Sequence, residues 1–130
     1  MVTPHGESRY EQSLQRDIAL LKRKTKEMAM LDEGGLRNAI LALMSRDRQL
    51  AYTVILRDRC VDDLEIELDR LCLEFLVRQQ PVAIHLRFVF ATIKIIRELE
   101  RIGDYAESIA RQVLDLLPMQ PIPPLDDFLE

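Results

Sequence analysis

Two short breaks divide most of this 130-residue chain into three long segments, each with the apolar spacing of an amphipathic helix. The segments run from about 8 to 44, from about 48 to 77 and from about 84 to 117. In the first, large apolar residues recur at helical spacings, namely Leu14, Ile18, Leu21, Met28, Leu31, Leu36, Ile40 and Leu43. The pattern predicts an all-α protein, an elongated antiparallel three-helix bundle.

Residues that start or end helices lie at the breaks. Asp47 is a favourable N-cap for the second segment, because its carboxylate can accept a backbone N–H of the first turn. Pro81 ends that segment, because proline has no backbone donor and disfavours the α conformation in the residue before it. Gly34-Gly35 interrupts the first segment at a cost of about 1 kcal/mol per glycine. We therefore expect a kink there, or the close approach of another helix.

The two ends of the chain differ in composition from the segments between them. Residues 1–7 are expected to form a flexible tail, and residues 8–117 the helical domain. Prolines 118, 121, 123 and 124 fall within seven residues and indicate a linker over 118–130. Residues 125–130 have the pattern of a first amphipathic turn. They indicate the start of a second domain in a longer protein, with a frayed tail as the alternative.

Composition and charge argue against several classes of protein. Hydrophobic residues make up 48% of the chain and charged residues 31%, as in a folded domain. The net charge of −4 argues against a nucleic-acid partner, because phosphate contacts need a basic face. No apolar stretch approaches the ~20 residues of a transmembrane helix, and the N-terminus does not resemble a signal peptide. Cys60 and Cys72 would lie about 18 Å apart along one helix, so we expect reduced thiols and a cytoplasmic protein.

Carboxylates occupy faces of the second and third segments that the apolar pattern turns toward the core. In the second segment four acids share one strip of the helix, namely Asp58, Asp62, Glu65 and Asp69. In the third segment Glu100 and Asp104 repeat the four-residue spacing. Because consecutive helices joined by a short loop pack antiparallel, we expect the two acidic stretches to lie opposite each other.

Two interpretations of these carboxylates remain open. Like charges in a poorly solvated groove are costly unless they are paired, protonated or bound to a cation. Oxygen-only ligands favour hard ions such as Mg²⁺, Ca²⁺, Mn²⁺ or ferric iron, whereas zinc more usually adds His or Cys. The alternative is a solvated face paired with arginines, and the spacing alone favours it. The available partners are Arg57, Arg59, Arg70, Arg97 and Arg101.

The sequence contains no recognisable catalytic motif. It has no Glu-x-x-His pair of the di-iron carboxylate bundles, no glycine-rich phosphate loop and no Cys-x-x-Cys. His5 lies in the predicted tail, and His85 lies at the predicted start of the third helix. We therefore expect a protein that is not an enzyme. A metal-dependent oxidase or hydrolase and a metal-free helical interaction module remain the alternatives.

The run Leu99-Glu100-Arg101-Ile102-Gly103-Asp104 closely resembles the Glu-Arg-Ile-Gly-Asp motif of PhoU proteins, accessory regulators of bacterial phosphate uptake and phosphate signalling. The resemblance covers about 28–113. One departure is His85, where the family usually has Asp before Leu-Arg. Further matching positions follow in the family's order: Leu36, Ala39, Ile40, Asp47, Asp58, Val61, Glu65, Asp69, Arg78, Gln79, Gln80, Pro81, Leu86 and Arg87.

This resemblance implies a fold built from a pair of three-helix repeats, with this chain as the N-terminal repeat. It implies a negative regulator of phosphate signalling whose partners are the phosphate transporter ATPase and a sensor histidine kinase, and we expect a homo-oligomer. It also implies a multinuclear iron or zinc site. The matching ligands would be Glu65, Asp69, Glu100 and Asp104, with Asp58 and Asp62 as additional candidates.

Overall fold

The computed structural model describes residues 8–118, which form three α-helices: α1 (Arg9–Ser45), α2 (Arg48–Gln79) and α3 (Ala83–Leu116). The predicted segments end within two residues of these bounds. The predicted tail over 1–7 and the linker from 119 onward lie outside the described residues. Within 8–118, no helix is both long and apolar enough to cross a membrane.

Short-range capping contacts fix where α1 and α2 begin. The Ser8 side chain accepts a hydrogen bond from the Glu11 N–H at 3.0 Å, and Asp47 accepts one from the Leu50 N–H at 3.0 Å. At the other ends, Arg46 (φ 55°) and Gln80 (φ 43°) adopt the left-handed conformation and redirect the chain. The Asp47 cap and the end of α2 just before Pro81 are therefore as predicted.

Contacts between the helices set their directions. The Tyr10 hydroxyl donates to the Gln79 carbonyl at 2.6 Å, so the start of α1 lies beside the end of α2. Arg97 of α3 lies 3.3 Å from Glu65 of α2, and a β-carbon on Gly35 would lie 3.8 Å from the Ala106 Cβ. Because Asp58, earlier on α2, lies beside Asp104, later on α3, α2 runs antiparallel to both other helices, and α1 and α3 run parallel. The predicted three-helix bundle is confirmed.

The core consists of two clusters with different side-chain sizes. Larger residues form one cluster: Leu14, Ile18, Leu21, Met28, Val61, Leu64, Leu68, Cys72, Phe75, Val89 and Ile96. Alanine and valine form the other: Ala39, Ala42, Ala51, Val54, Ala106, Ala110 and Val113. On each helix one buried residue lies between the parts that belong to the two clusters: Asp32 on α1, Asp58 on α2 and Gly103 on α3. Two buried acids therefore lie at the middle of the bundle, between its apolar halves.

The predicted buried stripe of α1 is wrong at two positions of its second half, whereas Leu36 and Leu43 pack against the core as predicted. Leu31 and Ile40 are exposed, at 37% and 47%, whereas Asp32, Ala39 and Ala42 are buried. The stripe keeps its helical period beyond Met28 but passes through small and acidic residues, because the neighbouring helices approach closely there. The helix also continues through Gly34-Gly35, where the close approach of α3 to Gly35 is observed instead of a break.

Candidate metal centre

Antiparallel packing of α2 on α3 brings the acidic strips together in two groups of three carboxylates. One group contains Asp62, Glu65 and Glu100, and the other contains Asp58, Asp104 and Glu107. In each group, one oxygen from every residue lies within 4.8 Å of the other two. The groups are one helical turn apart, and we refer to these six residues together as the acidic groove.

Glu100 has the most unfavourable surroundings of the groove carboxylates. Its Oε2 is buried and has no hydrogen-bond donor among residues 8–118. Burial, a hydrogen bond with Glu65 and the negative charges of Glu65, Asp62 and Asp104 raise the pKa of Glu100 from 4.5 to about 9. At neutral pH and without a cation, the first group therefore holds a proton on Glu100.

In the second group, too, one carboxyl group has a raised pKa. Burial, a hydrogen bond with Glu107 and nearby negative charges raise the pKa of Asp58 from 3.8 to about 7. The same hydrogen bond, together with Arg111, lowers the pKa of Glu107. Nη2 of Arg111 lies 2.7 Å from Oε1 of Glu107. Protonated Asp58 thus donates to a Glu107 carboxylate that the arginine holds in place.

Asp69, the fourth predicted acid of α2, belongs to neither group. Its Oδ2 lies 3.8 Å from Nη1 of Arg97, which also lies 3.3 Å from Oε1 of Glu65. Arginine pairing therefore accounts for Asp69 and for part of Glu65. Of the other arginines considered, Arg70 and Arg101 pair with acids of their own helices.

Sequence reasoning missed two acids, Glu107 and Asp32. Glu107 lies three residues after Asp104, so the strip of α3 could have been extended to include it. Asp32 of α1 is 2% exposed, and neither of its oxygens has a hydrogen-bond donor in the part of the chain that the structure describes. Burial and the charge of Asp104 raise the pKa of Asp32 from 3.8 to about 7. Its position four residues after buried Met28 was the available signal.

Gly103 allows the buried acids to approach α3. A β-carbon at this position would lie 3.0 Å from Oδ1 of Asp32 and 3.4 Å from Oδ1 of Asp58. A larger residue would crowd the Asp32 carboxylate and contact that of Asp58. The glycine of the Glu-Arg-Ile-Gly-Asp run therefore has a steric role beside the acids that flank it.

The PhoU domain profile matches residues 25–113, which is more than half of the chain. The chain belongs to the PhoU family. The matched PhoU region contains the whole acidic groove and Asp32, and it confirms the resemblance recognised from residues 99–104.

Curated PhoU relatives share about a third of their residues with the matched part of the chain. The phosphate-specific transport system accessory protein PhoU of Edwardsiella tarda is 38% identical over 104 residues, covering 80% of this chain and 43% of that protein. The protein of the same name from Escherichia coli K12 is 35% identical, with the same coverage. The PhoU homolog of Aquifex aeolicus is 33% identical over 109 residues, covering 84% of this chain and 49% of that protein. The chain thus spans about half the length of these relatives.

The groove residues fit a hard cation. All six offer carboxylate oxygens, and the donor set contains no thiolate or imidazole. Such a set suits magnesium, calcium, manganese or ferric iron. The unpartnered Oε2 of Glu100 supplies an independent structural sign, because a buried acceptor normally has a donor or an ion. The acidic clusters can therefore hold a metal at two adjacent positions.

Proposed function

We propose that this chain is one three-helix domain of an accessory regulator of phosphate transport and phosphate-responsive signalling. Membership of the PhoU family supports this, since the relatives are named as accessory proteins of phosphate-specific transport. We propose a negative regulator that acts by binding. Its proposed partners are the phosphate transporter ATPase and a sensor histidine kinase.

The acidic groove is the proposed metal-binding surface of the domain. The observation that supports it best is Glu100, a half-buried residue whose enclosed Oε2 has no hydrogen-bond partner among residues 8–118 and which faces two further acids. Asp62 and Glu65 would share the first ion with Glu100. Asp58, Asp104 and Glu107 would hold the second ion, and the oxygen-only set of ligands favours a multinuclear iron site over zinc. Asp69 lies at the edge, next to Arg97, and would take part only after that ion pair opens.

A bound cation would neutralise the groove and join α2 to α3. The chain's own part is to hold the carboxylates on two rigid helices, so that the ligands are positioned before the ion arrives. Metal loading would thereby change the charge of the face shared by α2 and α3. A partner that recognises this face by charge would distinguish the loaded domain from the metal-free one.

A catalytic role has less support. The donor atoms of both groups are carboxylates, and His85 is fifteen residues before Glu100 on α3, about 22 Å along the helix axis. No described contact places a general acid or base next to an open ligand position. We therefore retain binding as the proposed mode of action.

The proposal is tested by combining metal analysis with a phosphate-starvation reporter in cells. Protein purified without chelator should contain a transition metal, and Glu100→Gln with Asp104→Asn should lose it. The same double variant should fail to repress the reporter in phosphate-rich medium. Asp63→Asn is the matched control, because Asp63 is an exposed acid of α2 outside the groove. It should retain both metal and repression.

Two outcomes separate the parts of the proposal. Repression by a variant that contains no metal would overturn the role of the groove but leave the regulatory role. A chain whose deletion leaves the reporter unchanged would overturn the regulatory role itself.

A further inference from the structure

An apolar cleft opens between α1 and α2, on the other side of α2 from the acidic groove. Its volume is about 180 Å³. Gly103 and Ala106 of α3 close the bottom, because both are buried, whereas Met30 of α1 and Arg57 of α2 are exposed at the opening. Its walls are mainly apolar and are formed by Met30 and Leu31 of α1 and by Val54 and Val61 of α2. We refer to this space as the Met30 cleft.

Arg57 is the charged group that a ligand in the cleft would meet. Both oxygens of Asp32 are enclosed by the surrounding protein and therefore do not face the cleft. Asp58 shares a hydrogen bond with Glu107 of α3 and belongs to the acidic groove. Arg57 itself forms no ion pair among residues 8–118. The cleft therefore suits a ligand that has an apolar part and a negative charge.

The apolar and basic character of the cleft continues along the outer face of α1. Arg23 and Lys26 border a second depression that shares Met30 with the cleft, and Met30 is 63% exposed. Neither cation forms an ion pair within the described part of the chain. Glu27, the acid that borders the same depression, is paired with Lys24 at 3.9 Å. Exposed apolar side chains beside unpaired cations are typical of a docking surface for an apolar segment that carries negative charge.

Residues 125–130 of this chain have the chemistry that the cleft suits. Their sequence is Leu-Asp-Asp-Phe-Leu-Glu, with three apolar and three acidic side chains. Phe128 and Leu129 follow Leu125 at three and four residues, the spacing of the anchors in helices that bind an apolar groove. An apolar cavity of about 150 Å³ can hold benzene, so the cleft has room for the phenyl ring of Phe128. The three acids equal the unpaired cations around the cleft in number and are opposite in sign.

The linker before this segment is long enough to reach the cleft of the same chain. Helix α3 ends at Leu116, and Gly103 and Ala106 at the bottom of the cleft lie thirteen and ten residues earlier, about 15–20 Å along the helix axis. Neighbouring helix axes lie about 8–10 Å apart, which adds a short lateral step. Residues 117–124 contain four prolines and, extended at about 3.1 Å per residue, would span about 25 Å. The segment can therefore reach the Met30 cleft without a second copy.

We propose that residues 125–130 bind in the Met30 cleft of their own chain. Phe128 enters the apolar space between α1 and α2, and the acids of the segment pair with Arg57 and with the cations on the outer face of α1. The contact gives these cations the anionic partners that residues 8–118 do not supply. It leaves the acidic groove free, so it requires neither a metal ion there nor the proposed regulatory role.

Nuclear Overhauser spectra of the whole chain test where the segment lies. The ring protons of Phe128 should show cross-peaks to the methyl groups of Val54 and Val61 in the cleft. In a mixture of isotope-labelled and unlabelled copies, these cross-peaks should arise within one copy and not between two. Their absence would overturn the proposal, and cross-peaks between copies would assign the cleft to the segment of a second copy instead.

Phe128→Ala should empty the cleft without unfolding the bundle. The amide signals of Gly34 and Gly35, which line the cleft, should shift, whereas the Leu68 signal in the core cluster of larger residues should not move. Met119→Ala is the matched control, because it removes an apolar side chain of the linker before the segment. It should leave the glycine signals in place. Glycine signals that respond equally to both variants, or to neither, would contradict the proposal.

A synthetic peptide of residues 119–130 tests the charge recognition in the Phe128→Ala chain. It should return the glycine signals toward their wild-type positions, and a peptide that causes no shift would contradict the proposal. Arg57→Glu in that chain should raise the Kd of the peptide about fivefold, because an attraction at an exposed site becomes a repulsion. Arg59→Glu is the matched control, since Arg59 is exposed on α2 but does not line the cleft. Equal effects of the two substitutions, or none, would show that Arg57 does not recognise the segment.

Discussion

Gly103 of α3 and Asp32 of α1 meet so closely that a β-carbon on the glycine would lie 3.0 Å from Oδ1 of the aspartate. The same atom would lie 3.4 Å from Oδ1 of Asp58 and 3.4 Å from Cγ1 of Val61. One missing side chain therefore allows acids of α1 and α2 to reach α3 at the junction of the two core clusters. The acidic groove lies beside this contact, because Asp58 and Asp104 belong to it.

Gly103→Ala should weaken metal binding without the gain in stability that this substitution usually gives within a helix. Alanine in place of glycine favours a helix by about 1 kcal/mol. At position 103 the methyl group would lie only 3.0 Å from Oδ1 of the buried Asp32, so we expect that gain to be cancelled or reversed. The methyl group would also lie 3.4 Å from Oδ1 of Asp58, and this added contact should lower the metal affinity of the groove. Urea unfolding with chelator and a metal titration measure the two effects.

Gly34→Ala is the matched control for that variant. A β-carbon there would meet nothing within 4 Å, and the position lies within α1. It should stabilise the metal-free protein by about 0.5–1 kcal/mol. An equal gain from Gly103→Ala would show that Asp32 and Asp58 move aside at no cost.

Glu100→Gln should stabilise the metal-free protein at alkaline pH. The folded state raises the pKa of Glu100 from 4.5 to about 9, so the folded protein binds this proton more tightly than the unfolded chain. Its contribution to stability is complete below about pH 4.5 and is lost as the pH rises toward about 9. The glutamine has no proton to lose, and the free energy of unfolding should fall less steeply across this range. Urea unfolding in chelator between about pH 5 and about pH 9 measures the slope.

Glu74→Gln controls for the loss of one acid on the surface. Glu74 is exposed and paired with Arg70 of its own helix at 2.7 Å. This variant should keep the wild-type slope. A Glu100→Gln protein that is less stable than the wild type in alkaline chelator would show that the ionised carboxylate has a favourable partner.

The sequence predicted the helices and most of the groove because both depend on short-range spacing. Asp47 and Pro81 determine helix ends through local backbone chemistry, and acids four residues apart must share a helix face. Opposition of Glu65 and Glu100 followed from antiparallel packing across a short loop. These features need no knowledge of side-chain packing.

Short-range spacing could not predict which residues of α2 and α3 lie opposite each other, nor that small residues would form part of the core. Where Glu65 faces Glu100, α2 and α3 run in opposite directions. Asp69, one turn further along α2, therefore lies beside Arg97, and Asp104, one turn further along α3, lies beside Asp58. Asp32 was missed for a different reason. Bulky residues were taken to mark the buried stripe of α1, but where helices approach closely it is small side chains and Asp32 that fit.

Arg97→Gln should increase the metal affinity of the groove. Nη1 of Arg97 lies 3.3 Å from Oε1 of Glu65 and 3.8 Å from Oδ2 of Asp69, and therefore competes with a cation for Glu65. The arginine side chain is 60% exposed, so its loss should destabilise the metal-free protein by no more than about 1 kcal/mol. A metal titration measures the affinity, and unfolding in chelator measures the cost.

Arg101→Gln removes an equal charge and leaves the groove contacts intact. Arg101 pairs with Glu98 of its own helix at 3.5 Å, and both side chains are largely exposed. The metal affinity of this variant should remain near the wild-type value. A decrease in affinity in Arg97→Gln would instead indicate that the arginine orients Glu65 for the ion.

Gln79→Ala should loosen the first turns of α1, which are far in sequence from the end of α2. Gln79 is 3% exposed, and its Nε2 donates to Oγ of Ser13 at 3.0 Å and to Oδ2 of Asp17 at 2.6 Å. Removing the amide breaks both bonds and leaves a small cavity, which should cost about 1–3 kcal/mol in urea unfolding. The Tyr10 bond to the backbone carbonyl of residue 79 does not need the side chain, so hydrogen exchange should accelerate mainly over residues 12–17.

Gln112→Ala provides the comparison, because Gln112 is exposed and its 3.4 Å contact with Ser108 lies within α3. It should change stability by less than about 0.5 kcal/mol. If Gln79→Ala were equally mild, the Tyr10 contact and the Asp17–Arg78 ion pair at 2.7 Å would be sufficient to hold α1 against α2. A large loss confined to Gln79→Ala would instead show that this buried amide sets the position of α1 along the bundle. The depth of Asp32 between the other helices would then depend on it as well.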